Sequence, residues 1–207
     1  MKVVVLAGGI STERDVSLSS GKMIYKALKE NGHQAVLLDV YLGYTGEDAE
    51  DIFGKEEDWS GEIAAIGEEN PDIEAVKALR EDGGRNFFGP NVITICQAAD
   101  VVFMALHGEN GENGKIQACF DLMGIRYTGT DYVSSALCLD KGLAKELMDY
   151  HGIPTPKGIR LKKGENDPKA VPFPCVVKSC CGGSSIGVCI AHNEEEYGIA
   201  LQEGFRY

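Results

Sequence analysis

The first twenty residues place the strongest constraint on the fold of this chain. An apolar, β-branched run from Val3 to Leu6 ends at Gly8-Gly9, and a helical pattern follows. The residues expected on one face of that helix are Val16, Met23, Ile24, Ala27 and Leu28. A strand, a glycine turn and a helix in this order direct free backbone N–H groups and the positive end of the helix at the turn, which favours a carboxylate or a phosphate there.

The turn carries an acid and lacks the usual nucleotide motifs. Neither the G-x-G-x-x-G fingerprint of dinucleotide sites nor the G-x-x-x-x-G-K-[ST] sequence of P-loops is present. Glu13 stands at the turn instead, where its carboxylate opposes a phosphate and suits an ammonium group. A glycine turn with one acid favours an amino acid as the ligand, because an amino acid carries both charges.

The composition is that of a globular protein of one or two domains, with 43% hydrophobic residues in a chain of 207. The apolar run near the start is too short to cross a membrane, and no cluster of small residues marks a cleavage site. We therefore expect a cytoplasmic protein without a membrane partner. The seven cysteines form no C-x-x-C pair, which favours reduced, apolar core residues over a zinc or redox site.

The negative charge is concentrated in one part of the chain. Residues 44–88 contain 14 acidic and 4 basic residues, which accounts for ten of the twelve net negative charges. Nucleic-acid surfaces need stripes of Lys and Arg, and none is visible, so we expect no nucleic-acid partner. We interpret the acidic segment as a solvated insertion.

The rest of the first half extends the same α/β pattern. Ala35 to Val40 predicts a second strand, and a polar insertion over residues 41–99 follows. Within it Asp72 to Arg80 predicts a short helix and Val92 to Cys96 a short strand.

A buried strand, Val101 to Leu106, runs into a second glycine loop at His107 to Gly114. Its glycines, spaced three apart, permit close backbone approach or positive φ. In an open parallel sheet the ligand lies beyond the carboxyl ends of the strands, so this loop and the Gly8-Gly9 turn should open onto one crevice.

The second half changes to helix and hairpin patterns. Asp140 is a predicted N-cap for a helix that ends at Gly152. Two short strands, beginning at Cys175 and at Ile186, are joined by a glycine and serine loop with Lys178 at its mouth, an arrangement that suits a phosphate chain. A last helix begins after Asn193, and we expect it to have nothing to pack against.

These segments together resemble the D-alanine:D-alanine ligases, which are members of the ATP-grasp group. HGENGENGKIQ fits the family pattern H-G-x-x-G-E-[DN]-G-x-[IL]-Q, and GGISTERDVSLSSG fits the amino-terminal loop. Further matches are Asp140-Lys141, the segment from Gly152 to Pro156, and Val177-Lys178 followed by Gly183 to Gly187. The resemblance covers nearly all of the chain outside the insertion.

The resemblance implies an α/β fold in two parts. The first is a Rossmann-like parallel sheet (pre-ATP-grasp) domain over residues 1–129, with the acidic insertion at 41–99. The second is a small α+β ATP-grasp subdomain over residues 130–207. The family's carboxy-terminal ATP-grasp subdomain has no counterpart here, so we expect a truncated chain without ligase activity of its own.

The resemblance also implies roles for individual residues. Glu13 holds the ammonium of the first D-alanine, and His107 lies beside that substrate. Lys141 and Lys178 meet the ATP phosphates, with Gly183, Ser184 and Ser185 in the phosphate loop and Ser184 anchoring its active-site end. The family's Mg²⁺ ligands lie in the absent part, so no metal ligand is expected in this chain.

The implied reaction transfers the ATP γ-phosphate to the first D-alanine carboxylate, and the amine of a second D-alanine attacks the resulting acyl phosphate. It supplies peptidoglycan precursors for the bacterial cell wall. D-Alanine and ATP are the implied small-molecule partners, and the resemblance suggests a homodimer.

Three other functions stay open at this point. A D-alanine:D-lactate or D-alanine:D-serine ligase differs in a loop of the absent part. A non-catalytic module would use Glu13 and His107 only to bind an amino acid. A nicotinamide-dependent oxidoreductase would need a dinucleotide fingerprint after the first strand, which GGISTER does not supply.

Overall fold

The computed structural model describes residues 1–61, 70–183 and 187–206. The chain divides into two compact units, Met1–Tyr132 and Val133–Tyr207. Within the described part no helix has the length and apolar character that a membrane span requires.

The first unit contains a parallel sheet of three strands in the order β2-β1-β3. Its elements are β1 (Lys2–Ala7), α1 (Arg14–Glu30), β2 (Gln34–Asp39), a 3₁₀ helix (Ala49–Gly54), α2 (Ile73–Ala78), α3 (Val92–Ala98), β3 (Val101–Met104) and α4 (Lys115–Met123). Val4 of the central strand pairs with Val36 on one side and Val102 on the other. The α/β fold class expected from the sequence is confirmed.

The central strand is apolar throughout because both faces of the sheet are covered. Val5 and Ala7 face α1, in a cluster with Tyr25. Val4 and Leu6 face the opposite side and pack in a second cluster with residues of α3 and α4. Alternate residues of one strand thus enter two separate cores.

Helix α1 buries a different stripe from the one its apolar residues predict. Ser17, Gly21 and Tyr25, spaced four apart, face the sheet, whereas Met23 is 65% exposed. A Cβ at Gly21 would lie 2.7 Å from the Cβ of Ala7. The helix packs this closely because Ser17 and Gly21 are small, and the predicted face was wrong at Met23 and Ala27, which are both exposed.

The insertion contributes to the core of the first unit. Ile52 of the 3₁₀ helix is fully buried and packs with Val92 and Ile95 in the cluster that contains Val4. The interpretation of the acidic segment as only solvated was wrong for this part. The predicted strand at Val92–Cys96 was also wrong: these residues form α3, whose buried Val92, Ile95 and Cys96 have helical spacing.

The second unit contains α5 (Tyr132–Leu139), which begins at the boundary, α6 (Lys141–Tyr150), a 3₁₀ turn (Pro168–Ala170), β4 (Cys175–Val177), β5 (Cys189–Ala191) and α7 (Glu194–Gly204). The strands β4 and β5 form the antiparallel hairpin that the sequence predicts. Helix α7 covers one face of this hairpin with Tyr197, Ala200 and Leu201. The expectation that this helix would have nothing to pack against was wrong.

Candidate functional site

The turn after β1 uses its own N–H groups internally. The Gly8 N–H donates to the Ser17 hydroxyl at 2.9 Å, and the Gly9 N–H points to the Asp39 carboxylate at 3.4 Å. Gly8 has φ +74°, a conformation that favours glycine. The expectation of free N–H groups at this turn was therefore wrong at both glycines, which have partners within the protein.

A buried ion pair lies behind the turn. The Arg14 guanidinium is 2.5 Å from the Asp39 carboxylate, with side-chain exposures of 9% and 14%. Arg14 also donates to the Gly9 carbonyl at 2.6 Å. Asp39 Oδ1 accepts the N–H groups of Tyr41 and Leu42 at 2.8 and 3.0 Å. This pair joins the ends of β1 and β2 to the first turn of α1.

Glu13 precedes α1, and its side chain makes no capping hydrogen bond to the helix. Its carboxylate lies against the second glycine loop instead: a Cβ at Gly108 would be 2.8 Å from Glu13 Oε2. Gly108 has φ +77°. Glycine suits this position because it adopts positive φ readily and has no Cβ that would collide with the Glu13 carboxylate. Glu13 is half-buried.

His107, which lies beyond the end of β3, sits beside the same acid-bearing turn. Its carbonyl accepts a hydrogen bond from the Ser11 hydroxyl at 2.7 Å. Its ring Nε2 is 3.3 Å from the Ser20 hydroxyl, and Nδ1 is 4.0 Å from Glu112 Oε1. Glu13 and His107, predicted from separate motifs, are thus brought together at the carboxyl end of the sheet.

A third serine, Ser17, connects the turn after β1 to the segment after β3. Ser17 is fully buried, accepts from Gly8 N–H and donates to the Ala105 carbonyl at 2.7 Å. Sequence reasoning missed the roles of Ser11, Ser17 and Ser20, as well as the Arg14–Asp39 pair. The signal for the serines was the run of hydroxyl residues in STERDVSLSS at a predicted helix start.

The second glycine loop has the properties that its spacing predicts. Gly108 and Gly114 have φ of +77° and +82°. A Cβ at Gly111 would lie 2.5 Å from the Cβ of Leu106, so this position is closely packed. Gln117 of α4 donates to the Gly111 carbonyl at 2.7 Å and holds the loop to the helix.

In the second unit Lys141 contacts the glycine-rich loop after β4. Its backbone N–H donates to the Cys180 carbonyl at 2.9 Å, and its ammonium group donates to the carbonyls of Cys180 and Gly182. Asp140 caps α6 by accepting the N–H groups of Gly142 and Leu143, as predicted from the sequence. Lys141 therefore helps to hold the loop through carbonyl oxygens.

The remaining candidates lie in or next to the same loop. Lys178 is exposed directly after β4, and Gly183 is partly buried. Ser184 and Ser185 lie outside the described residues. Two cations beside a glycine-rich loop are a donor set that suits phosphate oxygens.

Across the described ranges, no three His, Cys, Asp or Glu side chains form a group that could hold a metal ion. All seven cysteines are free thiols. Burial raises the pKa of the Cys96 thiol to about 12, so this thiol stays protonated.

The parallel sheet with glycine loops after β1 and β3, followed by a helix and hairpin unit with a lysine-bearing loop, defines an α/β chain of the ATP-grasp class. The family descriptions that match are the D-ala D-ala ligase N-terminus over residues 2–130 and the D-ala D-ala ligase C-terminus over residues 147–207. The chain belongs to the D-alanine:D-alanine ligase family, as the resemblance in its sequence predicted.

Individual relatives agree with this assignment. The D-alanine--D-alanine ligase of Lacticaseibacillus casei (strain BL23) is 45% identical over 214 residues, which cover 100% of this chain and 58% of that protein. The chain thus spans little more than half the length of this relative.

Solved structures of two ligases are similar over the whole chain. The D-alanine--D-alanine ligase of Bacillus anthracis complexed with ATP has a TM-score of 0.64 at 27% identity, covering 100% of this chain and 55% of that one. The VanG D-Ala:D-Ser ligase of Enterococcus faecalis has a TM-score of 0.65 at 28% identity, with 100% and 60% covered.

Proposed function

We propose that this chain supplies the amino-acid side and part of the nucleotide side of an ATP-dependent ligase that joins two D-alanines for peptidoglycan synthesis in the cytoplasm. One observation carries the proposal: the Glu13 carboxylate lies against Gly108 of the His107 loop. A half-buried acid against the loop that carries His107, with the neighbouring Arg14 cation already paired to Asp39, is an environment that suits an ammonium group.

In this proposal Glu13 binds the ammonium of the first D-alanine, and His107 lies beside the same substrate. The Arg14 charge is occupied by Asp39, so it leaves the Glu13 carboxylate available. The D-alanine carboxylate would then be the group that reacts.

Lys141, Lys178, Gly183, Ser184 and Ser185 would hold the ATP phosphates, with Ser184 at the active-site end of the loop. The carbonyl contacts of the Lys141 ammonium support a role in shaping this loop as well as in balancing negative charge. Among the residues that the structure describes, no three His, Cys, Asp or Glu side chains form a group that would hold Mg²⁺.

ATP supplies the phosphoryl group: its γ-phosphate passes to the D-alanine carboxylate, leaving ADP and a D-alanyl phosphate. The amine of the second D-alanine attacks the acyl carbon, the peptide bond forms, and inorganic phosphate leaves with the electron pair of the broken C–O bond. Backbone N–H groups near the carbonyl would stabilise the negative tetrahedral intermediate.

The alternative is a ligase that takes D-serine or D-lactate as its second substrate. The similarity to the VanG D-Ala:D-Ser ligase spans the whole of this chain, as does that to the D-alanine ligase. Both alternatives share the site for the first D-alanine.

The proposal is tested by titrating D-alanine and L-alanine into the 207-residue chain in a calorimeter. We expect saturable binding of D-alanine and a loss of about tenfold or more in Glu13→Gln, because a hydrogen bond to a charged group is removed. Glu30→Gln, at the exposed end of α1, is the matched control.

Equal affinity of Glu13→Gln and wild type would contradict the proposal. Calorimetry with D-alanine, ATP and both together separates a ligase from a non-catalytic amino-acid-binding module, because the module should bind the amino acid without needing nucleotide. Dipeptide formation from ATP and D-alanine tests catalysis. We propose that the 207 residues alone do not catalyse it, and measurable product would refute that part. Saturable NADH fluorescence would instead support the oxidoreductase.

A further inference from the structure

We propose that Ser11 and Ser20 are positioning residues of the amino-acid site, which fix the backbone and the ring of His107 relative to Glu13. The identity of the ligand rests on the function proposed above. The placement of the two serines rests on hydrogen bonds that do not depend on that function.

Ser11 joins the two ligand-binding residues through a single hydroxyl group. Its oxygen accepts the Glu13 N–H at 3.2 Å, and its O–H donates to the His107 carbonyl at 2.7 Å. One donor and one acceptor of the hydroxyl are thereby used. Removing this group leaves the Glu13 N–H, one of the orphan donors before α1, without its partner and releases the His107 carbonyl.

Ser20 acts on the imidazole ring. Its hydroxyl is 3.3 Å from Nε2, and the Glu112 carboxylate lies 4.0 Å from Nδ1 on the other side of the ring. A neutral imidazole has one N–H and one lone pair. The Ser20 hydroxyl can donate to Nε2 or accept from it, so this contact holds the ring in place in either neutral tautomer.

The turn after β1 and the segment after β3 are already held together by Ser17, so this connection does not depend on Ser11 or Ser20. Ser17 lies one turn before Ser20 on α1 and already joins Gly8 to Ala105 in the buried interior. Ser11 and Ser20 lie at the partly exposed edge of the same contact. Their loss should therefore move His107 without separating the two loops.

The test compares Ser11→Ala and Ser20→Ala with the neighbouring controls Thr12→Ala and Ser19→Ala. We expect D-alanine affinity to fall about tenfold in each of the first two variants, because a partly buried hydrogen-bond partner next to the ligand is left unpaired, and to change less than twofold in the controls. Circular dichroism establishes that all four chains are folded.

The ring of His107 provides a second readout, in long-range ¹H–¹⁵N NMR spectra at pH 8.5, where an ordinary histidine is neutral. The His107 signals are assigned by their absence in His107→Gln. We expect the ring ¹⁵N signals of His107 to shift in Ser20→Ala and to return towards the wild-type pattern in Ser20→Thr, which keeps the hydroxyl.

The outcomes are separable. If the wild type binds D-alanine and both serine variants bind it equally well, the inference is wrong. If the wild type does not bind D-alanine, the proposed function fails, and the NMR pattern alone decides the inference. An unchanged His107 pattern in Ser20→Ala overturns it.

Discussion

The Arg14 guanidinium and the Asp39 carboxylate lie 2.5 Å apart, in a region where both side chains are nearly inaccessible. A pair of this kind costs desolvation free energy, so its presence contributes less to stability than its short distance implies. Its clearer effect is on conformation: it joins the ends of two strands to the start of α1, directly after Glu13.

Removing one member of this pair should be costly. In Asp39→Ala the Arg14 charge and three backbone N–H groups lose their partner, and we expect the free energy of unfolding to fall by about 3–5 kcal/mol. Urea unfolding followed by the fluorescence of Trp59, the single tryptophan, measures it. The control is Glu109→Ala, which breaks the exposed pair with Lys115 and should change stability by less than about 1 kcal/mol.

The double variant Arg14→Met/Asp39→Leu distinguishes the cost of an unpaired charge from that of altered packing. It leaves neither charge unpaired, so it should be more stable than Asp39→Ala. If the double variant loses more than the single one, the cost lies in altered packing rather than in the unpaired charge.

Gly21 should not tolerate alanine. A Cβ there would lie 2.7 Å from the Ala7 Cβ and 2.9 Å from Leu37 Cδ1, so Gly21→Ala should destabilise the first unit by about 1–3 kcal/mol despite the higher helix propensity of alanine. Trp59 fluorescence during urea unfolding measures this change.

Gly198 of α7 is the matched helical glycine, because a Cβ there would meet no atom within 4 Å. Gly198→Ala should stabilise the second unit by about 0.5–1 kcal/mol, measured by circular dichroism. Stabilisation by both substitutions would show that α1 does not pack against the sheet as closely as described.

Thiol accessibility provides a test of the core. Burial raises the pKa of Cys96 to about 12, so this thiol should remain unmodified by a maleimide at pH 8 in the folded chain and react only in urea. Cys138 is exposed and serves as the internal control that reacts at once. Peptide mass spectrometry distinguishes the two sites, and rapid native labelling of Cys96 would be inconsistent with the position of α3.

The Arg80–Asp82 pair in the insertion predicts a pH dependence. Hydrogen bonds from Arg80, followed by one from the Gly84 N–H, lower the pKa of Asp82. A lowered folded pKa means that Asp82 stabilises the fold above its unfolded pKa, near 4, and that this contribution is lost as the pH falls through the folded value.

Asp82→Asn should therefore be less stable than wild type at pH 7, and the difference should shrink below about pH 4. Glu81→Gln, the exposed neighbour, is the control. A stability difference that is the same at pH 3 and pH 7 would assign the effect to something other than ionisation.

Local patterns accounted for much of the architecture. The run from Val3 to Leu6 and the glycines that follow it predicted the first strand and turn, and Asp140 predicted the start of α6. The family and the α/β class were also recognised correctly from the sequence. The roles of Glu13, His107, Lys141 and Lys178, and the domain bounds, stay predictions.

Several features depended on contacts between distant residues. Val92 to Cys96 has a composition that suits a strand, yet it forms a helix because Val92, Ile95 and Cys96 pack into the core of the first unit. Helix α7 likewise packs on a hairpin whose strands could be predicted but whose covered face could not.

The order of strands, turns and helices is a property of neighbouring residues, because apolar periodicity and glycine act over a few positions. The hydrogen-bond partners of the Gly8 and Gly9 N–H groups, in contrast, are set by the tertiary structure. Asp39 is 30 residues from Gly9, and Ser11 is 96 residues from His107, so no local pattern links them. A hydrogen bond needs its two atoms within about 3 Å, and only the packing of α1 against the strand ends brings them that close.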